Sequence, residues 1–151
     1  MRSIFGGLKV CGKKITSASK FIDYFVHDIL DYTILNKKEK NFTKDLSVFD
    51  IRETLKQIIE IQEDKATMKN IKIRLLFKGF ESLPHNKTRN FWVKSDQKRL
   101  QQVLLNLYSN ALKFTDRNGK ITIIVEKTQE IHDPVTSYLR LSVIDTGLGI
   151  K

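Results

Sequence analysis

Apolar residues first return at helical spacing after Ser17. Phe21–Ile22, Phe25–Val26, Ile29–Leu30 and Thr33–Ile34 recur every four residues, which predicts a helix with a two-residue-wide apolar stripe. Ser17 or Ser19 would cap its start, and a stripe of this width suits a helical bundle. Residues 36–47 (NKKEKNFTKDLS) break the pattern and read as a loop or at most a weak hairpin. Asp50 stands three residues before Glu53, a capping box that opens a second helix. Its expected buried face is Ile51, Leu55, Ile58–Ile59 and Ala66. Alternation of Ile71, Ile73, Leu75 and Phe77 with mostly polar neighbours predicts a half-buried strand. The stretch 81–90, which contains Pro84, reads as a loop, and Phe91–Val93 as a short strand. Asp96 caps a third helix that runs to about Phe114. After the Asn118–Gly119 turn, two strands follow, Ile121–Val125 and Tyr138–Asp145, joined by a polar loop.

Composition narrows the class without settling it. The 151 residues carry 27 Lys+Arg against 17 Asp+Glu, a formal net charge of +10, which makes polyanions the default partner class. The cations are nevertheless dispersed among polar stretches and read as a solvated surface. No aromatic-studded basic motif or Cys/His zinc spacing supports a nucleic-acid module, so nucleic acid is not an expected partner. Cys11 has no second Cys to pair with, which favours a reducing, intracellular and cytoplasmic setting. No apolar run approaches the roughly 18–20 residues that cross a bilayer. The acid-free first twenty-two residues have the composition of a transit peptide. Gly6–Gly7 and Gly12 oppose the amphipathic helix that such a peptide needs, so this end reads as disordered or ragged.

The third helix carries the first chemical signal. On a helical wheel Leu100, Val103, Leu104, Leu107 and Ala111 share one face, while Leu105, Tyr108 and Leu112 lie on another. Between the two runs a polar row of Arg99, Gln102, Asn106, Asn110 and Lys113. A solvated face should be broad, not a line between apolar flanks. Asn also competes for the backbone and is a poor helix-interior residue. Two of them four residues apart suggest amide groups addressing a polar ligand, with Lys113 at one end. An Asn carbonyl oxygen suits Mg²⁺, a hard cation that keeps water and phosphate in its shell. The bland alternative is two semi-exposed Asn in a chain rich in Lys and Asn.

The last strand carries the second signal. It ends in Asp145-Thr146-Gly147-Leu148-Gly149, an acid beside glycines that let backbone approach a ligand closely. A carboxylate accepts hydrogen bonds, and the exocyclic amine of a base is a natural donor. Alone this pattern is weak. Following an Asn-row helix and a hairpin, it becomes specific.

Together these motifs resemble the sensor histidine kinases, and more widely the ATPase fold shared with gyrase-type and heat-shock-90-type ATPases. Residues 95–115 (SDQKRLQQVLLNLYSNALKFT) look like the family's N box, and Asp145–Ile150 like its first glycine box. The implied fold is α+β: a helical dimerisation segment followed by part of an α/β sandwich. The implied cofactors are ATP and Mg²⁺. Asn110 would coordinate the Mg²⁺ that bridges the phosphates, with Asn106 beside it where ATP-hydrolysing relatives keep a Glu base. Lys113 would contact phosphate and Phe114 would border adenine. Asp145 would accept the adenine amine, with Gly147 and Gly149 allowing the close approach. An Asn in place of the Glu suits a kinase, because no strong base is poised to activate water.

The resemblance extends upstream, where Phe25–Tyr32, Phe49–Ile51 and Met68–Ile71 look like the second dimerisation helix, its exit and the start of the ATPase domain. It implies three parts: a ragged 1–16, a dimerisation helix and linker over 17–47, and a partial ATPase domain over 48–151. The implied partners are a response-regulator receiver domain and a second copy of the chain through the 17–35 helix. Departures from the family pattern limit the activity expected of the chain alone. His27–Asp28 imitates the start of the phosphoacceptor motif, but Leu30, Asp31 and Tyr32 stand where Arg, Thr and Pro belong, so no catalytic residue is assigned. The ATP lid and second glycine box are not found before Lys151. The chain by itself is therefore expected to be catalytically incomplete, and a non-catalytic, kinase-derived dimerisation or regulatory module is the alternative reading.

Overall fold

The computed structural model describes residues 44–80, 82–83, 86–129 and 137–149, with isolated positions between 11 and 26. The 17–35 helix, apart from those positions, and His27 lie outside the described residues.

The order of elements is β1 (Leu46–Asp50), α1 (Ile51–Ile61), α2 (Glu63–Met68), β2 (Lys72–Lys78), β3 (Ser82–Leu83), β4 (Asn86–Arg89), β5 (Trp92–Asp96), α3 (Gln97–Phe114), β6 (Lys120–Gln129) and β7 (Ser137–Asp145). The main sheet runs β2-β6-β7, with β2 parallel to β6 and β7 antiparallel to it. A parallel pair needs a long crossover, and here the chain between β2 and β6 contains α3. One face of this sheet is the core face. Ile121, Ile123 and Val125 of the central strand are buried there, with Ile73, Leu75, Phe77, Leu139, Leu141 and Val143 packed against the same cluster. α1 and α3 supply Ile51, Leu55, Ile58, Leu104, Leu105, Tyr108 and Leu112. On β2, Lys72, Arg74 and Lys78 alternate with those core residues and are exposed. Part of the chain's positive charge therefore sits on solvated sheet surface, as its dispersal suggested.

Asp50 caps α1 through its side chain, which accepts from the Arg52 amide at 2.9 Å. The Arg52 guanidinium also pairs with that carboxylate and holds it below the usual carboxylate range. Arg52 lies over the Phe91 ring at 4.3 Å, and Phe91 in turn meets Phe77 edge-on and Phe80 at a tilt, each with ring centroids 5.0 Å apart.

Three expectations are corrected. The second helix does not run unbroken to Ala66, because Gln62 leaves helical geometry (φ −112°, ψ 12°) and splits it into α1 and α2. Ala66 is buried all the same. The end of the stretch read as loop forms β1, which pairs antiparallel with β5 from Leu46↔Asp96 to Asp50↔Trp92. Within 81–90, β3 and β4 pair as a small antiparallel ribbon.

Candidate ATP-binding site

α3 is the spine of the site. Asp96 caps its start, accepting from the Arg99 amide at 3.2 Å. Its core-facing side is Leu104, Leu105, Tyr108, Ala111 and Leu112, with Gln101. Of the other apolar positions on the helix, Val103 and Leu107 are 56% and 44% exposed. At about 100° per residue the apolar positions span a wide arc, and the core takes its far half. Val103, Leu107 and Phe114 are left on the open side. Asn106, Asn110 and Lys113 are exposed there too, forming one polar row with an apolar edge. Gln102 is instead buried.

The C-terminal end of α3 meets the end of β7. Asp145 is exposed, and its Oδ1 accepts from the Gly147 amide at 2.8 Å. Thr146 continues the sheet: its amide donates to the Lys120 carbonyl at 3.1 Å, and its hydroxyl accepts from the Lys120 amide at 3.0 Å. Gly147 then lies against the helix end, where a Cβ would stand 2.5 Å from the Phe114 carbonyl oxygen and 2.8 Å from Asp145 Oδ1. Glycine is required here by close approach. Gly149 has φ +71° with open space around it, so what it needs is left-handed backbone freedom. The Phe114 ring is 53% exposed, and the Lys113 ammonium sits 5.1 Å from its centroid. The structure thus brings Lys113, Phe114, Asp145 and Gly147 to one corner. Asn110 and Asn106 lie one and two turns back along the same helix.

Sequence reasoning missed Lys69, one residue past α2. Its ammonium donates to the carbonyls of Leu112, Lys113 and Thr115 at 2.8, 3.0 and 2.9 Å. The last carbonyls of a helix lack partners within it, and a cation there also complements the helix dipole. No pattern near Lys69 signals this role.

The corner can hold an anionic, amine-bearing ligand. Asp145 offers an acceptor, Lys113 a cation, Phe114 an aromatic surface and Asn110 an amide oxygen. α3 contains no carboxylate. Among the described residues no group of three or more His, Cys, Asp and Glu could cage a metal. Mg²⁺ would therefore fit only as an ion shared between Asn110, water and ligand phosphates, its usual mode at phosphate sites.

Residues 95–151 match the histidine kinase-, DNA gyrase B- and HSP90-like ATPase family. The matched segment contains the whole corner. This is a histidine-kinase-type ATPase segment. The chain is 33% identical to the histidine protein kinase DivJ of Caulobacter vibrioides, over 83% of this chain and 18% of that protein. Two solved histidine kinases share its fold. One is full-length ShkA in complex with AMPPNP, with 27% identity, TM-score 0.58, 99% of this chain and 27% of that one covered. The other is ThkA in complex with the response regulator TrrA, with 27% identity, TM-score 0.57, and 91% and 34% covered. The chain spans less than a fifth of the length of the curated relatives it matches. Among the described residues of this ATPase segment, no helix is long and apolar enough to cross a membrane.

Proposed function

We propose that residues 48–151 bind ATP with Mg²⁺ as part of the ATPase domain of a sensor histidine kinase in phosphorelay signalling. The observation that carries this is the seating of Gly147 on the Phe114 carbonyl, which joins the Asn-row helix to the acid that ends β7. Asp145 accepts the adenine amine, and Gly147 and Gly149 admit the base. Phe114 borders the ring, Lys113 contacts phosphate, and Asn106 and Asn110 face the phosphates, with Asn110 binding the metal. Mg²⁺ supplies charge neutralisation on the phosphates when bound. The protein's part is to position the nucleotide and to keep a water-activating base away from it, since Asn106 cannot act as one. In the intact protein the γ-phosphoryl passes to a histidine and then to a receiver domain. Segment 17–47 supplies the dimerisation helix and linker. The partnership of ThkA with TrrA and the AMPPNP bound to ShkA support this reading.

The test is titration of the 151-residue chain with a fluorescent ATP analogue and Mg²⁺. Weak, adenine-dependent binding is expected. Asn110→Ala should remove its Mg²⁺ dependence, and Asp145→Asn its preference for adenine over hypoxanthine nucleotides. Binding indifferent to both substitutions would overturn the assignment. The chain alone should take up no label from γ-labelled ATP.

A further inference from the structure

Lys69 belongs to a clamp between two turns that lie far apart in sequence. Its ammonium has three protons, and the structure gives each a carbonyl: Leu112, Lys113 and Thr115. Its own carbonyl accepts from the Asn118 amide at 2.9 Å. Beside it the Asn70 side-chain amide donates to Asn118 Oδ1 at 2.7 Å, and the Lys72 amide donates to the Gly119 carbonyl at 3.0 Å. Asn70 and Asn118 both hold left-handed backbone, at φ 52° and 64°, a conformation Asn tolerates better than most residues. The turn after α2 and the turn after α3 are thus bonded along their length.

The clamp ends at the candidate site. Lys69 holds the carbonyls on either side of Phe114, and the Phe114 carbonyl is the surface on which Gly147 rests. Gly147 in turn donates to Asp145 Oδ1. Gly119 lies in the same packing, since a Cβ there would stand 3.0 Å from Thr146 Oγ1. A route of direct contacts therefore runs from Lys69 through the end of α3 to the Asp145 carboxylate.

We propose that Lys69 is a positioning residue for base recognition: by fixing the carbonyls around Phe114 it fixes the seat of Gly147, and through it the orientation of Asp145. The link to nucleotide rests on the reading of this corner as an ATP site. The placement of Gly147 and Asp145 does not.

The experiment compares the 151-residue chain with its Lys69→Met form, which keeps the aliphatic stem and loses the donors. Amide hydrogen exchange should quicken roughly tenfold at Thr115 and Gly147, an effect of the size expected for one charge-assisted hydrogen bond. Exchange in the β2-β6 ladder should stay as in the parent chain. With Mg²⁺ present, ATP affinity should fall several-fold and the ATP-to-ITP affinity ratio should move toward one, because inosine lacks the amine that Asp145 accepts. Loss of packing alone would weaken both nucleotides equally. Should Lys69→Met unfold the domain, Asn118→Gly keeps the left-handed backbone, removes only the Asn70 bond, and should shift the same readouts less. Unchanged exchange at Gly147, or an unchanged ATP-to-ITP ratio, in a folded variant overturns the proposal. If the parent chain binds neither nucleotide while Gly147 exchange still quickens, the clamp stands and the ATP reading falls.

Discussion

The two ends of α3 are held in opposite ways. At the N-terminal end Asp96, the adjacent residue, accepts from the Arg99 amide, and its carboxylate also lies 3.5 Å from the Arg99 guanidinium. At the C-terminal end the ammonium of Lys69, more than forty residues earlier, closes on three carbonyls. Both devices meet the same need, the unpaired backbone groups that every helix leaves at its termini. One is local and the other tertiary. The local cap can form as soon as the helix does, whereas the distant one also ties the helix to the rest of the domain. It does so at the end where the candidate ligand groups collect.

Unequal consequences should follow from breaking the two ends. Lys69→Met leaves three part-buried or exposed carbonyls without their charged donor, while the main-chain and Asn70–Asn118 bonds between the two turns remain. We expect a loss of about 2 kcal/mol, within the range for hydrogen bonds to charged groups, measured by urea unfolding. Asp96→Ala removes an N-cap and should cost about 1 kcal/mol. A larger loss for Asp96→Ala than for Lys69→Met would reverse the comparison. In that case the local cap would be the main restraint on the helix, and Lys69 an accessory.

The same contrast explains what the amino-acid order made legible. Asp50 and Asp96 mark the starts of α1 and α3 because an N-cap is written in one residue and its immediate successors. β2 and β7 show as alternation, and the Asp145-Gly147-Gly149 pattern keeps its place at the end of β7. Features that depend on distant partners were not legible. β1 is one: Leu46 and Val48 face outward and are exposed, so its apolar positions do not mark the buried side. Its pairing partner β5 lies between 42 (Asp50↔Trp92) and 50 (Leu46↔Asp96) residues further along the chain. Burial on α3 is another. Apolar residues flank the polar row on both sides, and only the packed sheet and α1 decide that Leu105, Tyr108 and Leu112 go inside while Val103 and Leu107 stay out. Within the candidate site, Asn106, Asn110, Lys113, Phe114, Asp145 and Gly147 were singled out by type and spacing. Lys69 was not, because its partners are main-chain carbonyls and carry no side-chain signature.

The middle of α3 supplies the smallest effect and a control for both ends. Tyr108 is fully buried, and among the described residues its hydroxyl has no hydrogen-bond partner. Burial, with a smaller contribution from the Glu63 charge, pushes its pKa up to about 12. The folded state therefore holds the phenol neutral where an unfolded chain would ionise it near pH 10. For a group raised on folding, the stabilisation is fully present below the unfolded value and is lost as pH rises through the folded one. Stability should accordingly decline between about pH 10 and 12. Tyr108→Phe keeps the ring and removes the orphaned hydroxyl. At pH 7 it should change stability by no more than about 0.5 kcal/mol, in either direction. Its alkaline limb should be flatter than that of the parent chain when unfolding is followed against pH. Equal alkaline limbs would mean that the phenol reaches water in the native state. A large loss at pH 7 would mean that the hydroxyl has a partner, and that α3 is restrained at its centre as well as at its ends.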